Sequence, residues 1–277
     1  MFIPFIKMHG AGNDFVVIDN RKGDLPVAAL DMSKIADRQF GVGCDQVIVL
    51  EKSQRADIFM RIYNADGSES GSCGNASRCV AWVVFAEREN VNGVTIETIS
   101  GIISSSVVDE DNVTIDMGEP RLKWDEIPLA RDVDTLHLPI QENEFGDPVA
   151  VNMGNPHAVF FVAEPYNVNL AAVGSVLERH PLFPQRANIG IARVESKSHI
   201  TLRVWERGAG ATLACGTGAC AALVAAHRRD LTGRKALVDL PGGSLLIQWR
   251  ESDNHVLMTG PAATSFVGTF NDEAYRK

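Results

Sequence analysis

Short runs of branched and aromatic residues recur along the chain, each bounded by glycine, proline, asparagine or aspartate. FVVID (15–19), QVIVL (46–50) and DIFMRIYN (57–64) read as strands. DMSKIADRQF (31–40) reads as a helix with Asp31 as its N-cap, and GNASRCVAWVVFAERE (74–89) as an apolar helix ending in charge. VTIETI, GIISSSVV and NVTIDM, ending at residue 117, read as short strands. The later chain runs through a similar plan. HAVFFVA is followed by a helical LAAVGSVLER, strands NIGIARV and HITLRVW, and a helical GTGACAALVAAHRR. Strands KALVDL, SLLIQW and HVLMTG close the series.

This likeness has a fixed period. Cys-Gly occurs at residues 73–74 and again at 215–216, an offset of 142. The same shift carries Gly12-Asn13 onto Gly154-Asn155, Ile58 onto Ile200, Arg61 onto Arg203 and Gly118 onto Gly260, with no gap. One offset held over such a span argues for two homologous halves, about 1–118 and 143–260. Many strands with one apolar helix per half predict an α+β fold. It consists of two pseudo-symmetric domains, each a curved, mostly antiparallel, barrel-like sheet wrapped around a central apolar helix, with an active site in the cleft between them. The expected domains are 1–118 plus 262–277, and 119–261. Residues 119–142 read as a polar connector, and TSFVGTF near the C-terminus as a strand that returns to the first half.

Composition narrows the class. The 277 residues are 45% apolar and 22% charged, ordinary for a globular protein and incompatible with disorder or a collagen-like repeat. A net charge of −9, with no long basic run, makes nucleic acid and anionic membrane poor partners. No apolar run approaches the roughly 20 residues that span a bilayer, and MFIPFIKMHGAGND does not read as a signal peptide. Five cysteines, an odd number, argue against a disulfide framework and for the reducing cytoplasm.

Both Cys-Gly pairs sit where a glycine-rich loop enters an apolar helix. Free N–H groups and the positive end of the dipole there are expected to lower a thiol's pKa and to cradle an anion such as a carboxylate. The repeat also superimposes polar residues: Asn13 on Asn155, Gln46 on Asn188, Asn64 on Glu206 and Asn75 on Thr217. Arg207 has Ala65 as its mate, so the arrangement is symmetric about the thiols and asymmetric away from them. Two thiols serving one substrate suit inversion of a stereocentre: one removes a proton from carbon and the other delivers one to the opposite face, while the held carboxylate absorbs developing charge. Cys44, Cys79 and Cys220 read as packing residues. The spacing of Cys73, Cys79, Cys215 and Cys220 suits no zinc site, and the glycines at 208–218 match no nucleotide fingerprint, so no metal or nucleotide is expected.

Over nearly its whole length the chain resembles diaminopimelate epimerase. KMHGAGNDFVVID, NADGSESGSCGNASRC, GNPHAV and ERGAGATLACGTGACAA carry the likeness. The resemblance implies a cofactor-independent epimerase of lysine and peptidoglycan precursor synthesis, with Cys73 and Cys215 as catalytic bases. It implies that Asn13, Asn64, Asn155, Asn188, Glu206 and Arg207 bind substrate, with Gln46 in the same lining. Amides at Gly74, Asn75, Gly216 and Thr217 would cradle the reacting carboxylate, and His157 and Glu206 would tune the thiols. The implied partner is diaminopimelate, with a homodimer as the one macromolecular association the reading allows. Gly71-Ser72 depart from the acidic and bulky apolar pair the family commonly carries before the first cysteine. The rival is a proline racemase or hydroxyproline epimerase on the same scaffold, which carries Cys-Gly-His in place of Cys73-Gly74-Asn75 and aspartate in place of Glu206.

Overall fold

A computed structural model of the chain describes residues 1–71, 73–88, 93–109 and 112–277. In chain order the elements begin with β1 (Phe2–Gly10), β2 (Asn13–Asp19), α1 (Met32–Ala36), β3 (Gln46–Glu51), β4 (Ile58–Asn64) and β5 (Glu69–Ser70). α2 (Gly74–Ala86), β6 (Gly93–Thr98), β7 (Gly101–Val107) and β8 (Asn112–Asp116) follow. Next come β9 (Gln141–Glu142), β10 (Phe145–Gly146), β11 (Val149–Asn152), β12 (Pro156–Phe161), α3 (Leu170–Leu177), β13 (Asn188–Ser196), β14 (His199–Glu206) and β15 (Gly210–Thr212). The series ends with α4 (Gly216–Arg228), β16 (Lys235–Leu240), β17 (Gly243–Trp249), β18 (Val256–Pro261) and β19 (Ala263–Asn271). The chain forms two compact units, Met1–Ile115 with Gly260–Lys277, and Asp116–Thr259.

Within the first unit, β2 pairs β3 in parallel with Phe15 opposite Gln46, and β4 pairs β6 in parallel with Ile58 opposite Ile96. Within the second, β12 pairs β13 in parallel with His157 opposite Asn188, and β14 pairs β16 in parallel with Ile200 opposite Val238. Every one of these partners is displaced by the same 142 residues, and so are the two ends of α2 and of α4. The repeat is therefore a repeat of hydrogen-bond register as well as of residues. The other described pairings of these strands are antiparallel, and parallel neighbours need a crossover, which α1, α2, α3 and α4 provide.

Burial follows the sequence pattern. β6 buries Val94, Ile96 and Thr98 and turns the alternate residues outward. α4 is buried from Gly218 to Ala226 on every face, which only small apolar residues permit against a surrounding sheet. In α2 the fully buried Arg78 donates from Nε to the Pro261 carbonyl. Gly10 is needed beside it, since a Cβ there would lie 3.0 Å from Arg78 Nη2. β19 pairs antiparallel with β1, so the C-terminal strand completes the first unit.

Two expectations are corrected. The helix from Asp31 stops at Ala36 rather than at residue 40. Asp31 does cap it, but Asp37 Oδ1 takes the amides of Gln39 and Phe40 at 2.7 Å and turns the chain, leaving Phe40 exposed. The connector 119–142 is not simply polar: Ile127, Leu129, Leu138 and Ile140 are buried in the second unit's core with Phe160 and Ile189. Glu89, predicted as the end of the second helix, lies outside the described residues, and the described helix ends at Ala86.

Candidate active site

Cys73 occupies the N-cap of α2 with extended backbone (φ −151°, ψ 111°), and its Sγ accepts from the Ala76 N–H at 3.5 Å. Cys215 occupies the N-cap position of α4 with similarly extended backbone (φ −130°, ψ 104°), and its Sγ lies 3.6 Å from Thr217 Oγ1. Gly74-Asn75 and Gly216-Thr217 are the opening residues of these helices, where backbone N–H groups have no acceptor within the helix. A Cβ on Gly71 would come within 2.4 Å of Ser100 Oγ, a hydroxyl that would have to rotate away. Ser72 lies outside the described residues.

In the first unit, Asn13, Gln46 and Asn64 stand at the ends of β2, β3 and β4. Cys73 Sγ–H points to Asn13 Oδ1 at 3.9 Å. Gln46 Nε2 donates to Asn64 Oδ1 at 3.0 Å, and Asn64 Nδ2 donates to Ser68 Oγ at 3.1 Å. Gln46 Oε1 and Asn75 Oδ1 are buried without a hydrogen-bond partner among the described residues. A buried amide oxygen left unpaired costs about 1–3 kcal/mol, so both are acceptors that a donor, from water or a bound molecule, would satisfy.

In the second unit, Glu206 accepts from Thr212 Oγ1 at 2.5 Å and from the Cys215 thiol. Burial raises the Glu206 carboxyl, with those two hydrogen bonds opposing it. Asn188, buried, donates from Nδ2 to the Pro156 carbonyl and accepts the Arg207 N–H. The exposed Arg207 side chain donates to the Gln185 carbonyl at 2.9 Å and lines a polar cavity of about 350 Å³ with Arg121, Asn152 and Gly154. Asn155 Oδ1 lies 2.9 Å from His157 Nε2. His157 is buried, which with the charge of Arg207 holds its pKa near 3, so its ring is neutral.

The expectation that the helix start lowers the thiol pKa is corrected for Cys215. Burial raises that thiol well above its ordinary value, the Glu206 carboxylate raises it further, and the bonds from Thr217 and the Gly218 amide do not offset them. Cys44 and Cys79 fit their packing role, both buried, with burial pushing them up to about 11 and about 12. Comparison of the halves overlooked Asp45 and Arg38, which lie against Asn13 and Asp14. Their mates are Ala187 and His180, so a search for matched polar pairs passes over them.

The family model of diaminopimelate epimerase matches residues 5–123 and 149–265, spanning both cysteine clusters. The chain belongs to the diaminopimelate epimerase family. It is 54% identical to a diaminopimelate epimerase of Rhodospirillum centenum over 97% of this chain and 92% of that one, and 52% identical to one of Acidiphilium cryptum over 96% and 95%. Among solved structures, a phenazine biosynthesis protein of the PhzF family from Bacillus anthracis superposes with a TM-score of 0.71 at 17% identity, covering 98% of this chain and 99% of that one. A hydroxyproline epimerase from Agrobacterium vitis gives 0.68 at 18%, covering 97% and 92%. At such identities these neighbours share the fold alone, and the family match separates the chain from the proline racemase alternative.

Proposed function

We propose that the protein is a diaminopimelate epimerase that interconverts the LL and meso isomers through Cys73 and Cys215, without a cofactor. The observation that carries this reading is the placement of a cysteine at the N-cap of the apolar helix in each half, at the same register, in a chain of this family. One sulfur, as thiolate, takes the α-proton and becomes a thiol. The electron pair left on carbon is stabilised by the α-carboxylate, held by the amides of Gly74, Asn75, Gly216 and Thr217. The other thiol gives its proton to the opposite face and becomes the thiolate, so one proton enters and one leaves. Burial and Glu206 favour the protonated form of Cys215, which suits it to donate in the resting enzyme.

Arg207, Asn155 and Asn188 are read as holding the distal carboxylate, and Glu206 with the amide oxygens of Asn13, Gln46, Asn64 and Asn75 as accepting from the ammonium groups. The charges reject proline and alanine, which would leave them unpaired. His157 is read as acting through Asn155. No helix among the described residues is long and apolar enough to cross a membrane. A cytoplasmic location and a homodimer accompany the proposal, and light scattering on the purified chain tests the dimer. The reaction itself is tested by proton NMR of LL-diaminopimelate with the enzyme in heavy water. Deuterium entering the α-carbon together with formation of the meso isomer is the expected result; racemisation of proline at a comparable rate, without turnover of diaminopimelate, would reassign the enzyme.

A further inference from the structure

The Asn13 amide is held by a carboxylate. Its Nδ2 donates to Asp45 Oδ2 at 2.6 Å. A carboxylate only accepts, so the orientation is settled chemically: the NH2 end faces Asp45 and the carbonyl faces Cys73. Asp45 is fixed in turn. Oδ2 also accepts the Asp14 N–H at 3.1 Å, Oδ1 accepts Arg38 Nη2 at 2.8 Å, and the Asp45 N–H donates to Asp14 Oδ1 at 3.1 Å. Behind it the buried Lys7 donates to Asp14 and to the Gly43 carbonyl. Burial would raise the Asp14 carboxyl, but Arg38 and Lys7 outweigh it and hold it near 2, so Asp14 stays a carboxylate at working pH.

The second unit orients its matched asparagine by the other end. Asn155 Oδ1 lies 2.9 Å from His157 Nε2, and with the proton of the neutral ring on Nε2 it accepts, which leaves the Asn155 NH2 group to donate. Phe15 stands at the position matching His157, and Ala187 at the position matching Asp45. Each half therefore has its own orienting residue, and the two asparagines present opposite poles.

We propose that Asp45 is a positioning residue for Cys73: by holding Nδ2 of Asn13 it keeps the Asn13 carbonyl on the sulfur, where it accepts the S–H in the direction of reaction in which Cys73 carries the proton and donates it, the reverse of the direction in which Cys215 donates. This rests on the reading of Cys73 as an acid–base group. Besides the pair, the titratable and charged groups about Asn13 and Cys73 among the described residues of the first unit include Lys7 and His9 on β1, Asp14, Arg38 and, on α2, Arg78 and Cys79. A hydrogen bond to the neutral form opposes ionisation, so freeing Asn13 to rotate its NH2 group toward sulfur makes Cys73 ionise at lower pH.

The test measures iodoacetamide alkylation of Cys73 against pH, resolved by peptide mass spectrometry, beside steady-state kinetics. Asp45→Leu should lower the alkylation midpoint by about half a pH unit or more and kcat about tenfold, with KM changed less. Asp45→Ala serves equally if the leucine variant does not fold. Asp45→Asn keeps an acceptor for Asn13 and should stay near wild type, whereas a pure charge effect would shift it as far as Asp45→Leu. Asn13→Leu removes the acceptor without supplying an NH2 donor, so it should shift the midpoint less than Asp45→Leu does, and adding Asp45→Leu to it should change nothing more. An unmoved midpoint in both Asp45→Leu and Asp45→Ala, or equal shifts in Asp45→Asn and Asp45→Leu, overturns the proposal. Cys73→Ala separates the two levels: if it still epimerises, the reading of Cys73 is wrong; if it is inactive and the midpoint is unmoved, only the positioning role is wrong.

Discussion

Gln46 Nε2 donates to Asn64 Oδ1, and the bond leaves Gln46 Oε1 buried without a partner among the described residues. Under the proposed function that oxygen accepts from a substrate ammonium group. Gln46→Met should therefore raise KM for diaminopimelate about tenfold while the thermal midpoint changes little, because removal of an unpaired buried oxygen offsets loss of the donor to Asn64 Oδ1. A fall of several degrees in the midpoint with unchanged KM would make Gln46 structural.

The thiols should differ in reactivity. Cys215 is 4% exposed and is raised by burial and by Glu206, while Cys73 is half-buried. At neutral pH iodoacetamide should label Cys73 first. Glu206→Gln removes a like charge from beside Cys215, so its alkylation should move to lower pH even though turnover is lost. Peptide mapping over pH 6–10 (roughly the thiol range) reads both effects.

Stability should rise with pH through the histidine range. In the unfolded chain His157 titrates at its ordinary value of 6.5, but burial holds it near 3 in the fold. Between those values only the unfolded state binds the proton, so stability is complete above about pH 6.5 and falls by about 1.4 kcal/mol per unit below it. Urea denaturation at pH 7 and pH 5 should show about 2 kcal/mol of loss that His157→Gln lacks. Equal losses in both proteins would contradict this.

The strands, both cysteine helices and the repeat were legible because each follows from local pattern: alternation, a cap, or a fixed offset. The short helix at Met32–Ala36 was overcalled because Asp37 competes for backbone amides, which periodicity does not register. The connector's buried Ile127 and Leu138 were masked by the charged residues between them. The Cys215 shift needed three dimensions, since the Glu206 carboxylate and the degree of burial decide it against the helix start. Asp45 escaped for the opposite reason: it breaks the repeat that exposed the other residues.

Packing gives a further check. A Cβ on Gly174 of α3 would lie 2.5 Å from the Trp205 ring, whose Nε1 donates to Glu178 at 2.8 Å. Gly174→Ala should cost about 1–3 kcal/mol by overpacking, despite alanine's better helix propensity. A stabilised variant in urea would show that Trp205 moves freely.

The central claim is that two thiols share one inversion, and the sharpest measurement follows deuterium from heavy water into the α-carbon in Cys73→Ala and Cys215→Ala. Each variant should lose interconversion of LL and meso isomers almost entirely while remaining folded. Each should still exchange the α-hydrogen of the one isomer that presents it to the remaining sulfur, and the two variants should prefer opposite isomers. Near wild-type interconversion by either variant, or exchange of the same isomer by both, would contradict the two-thiol account.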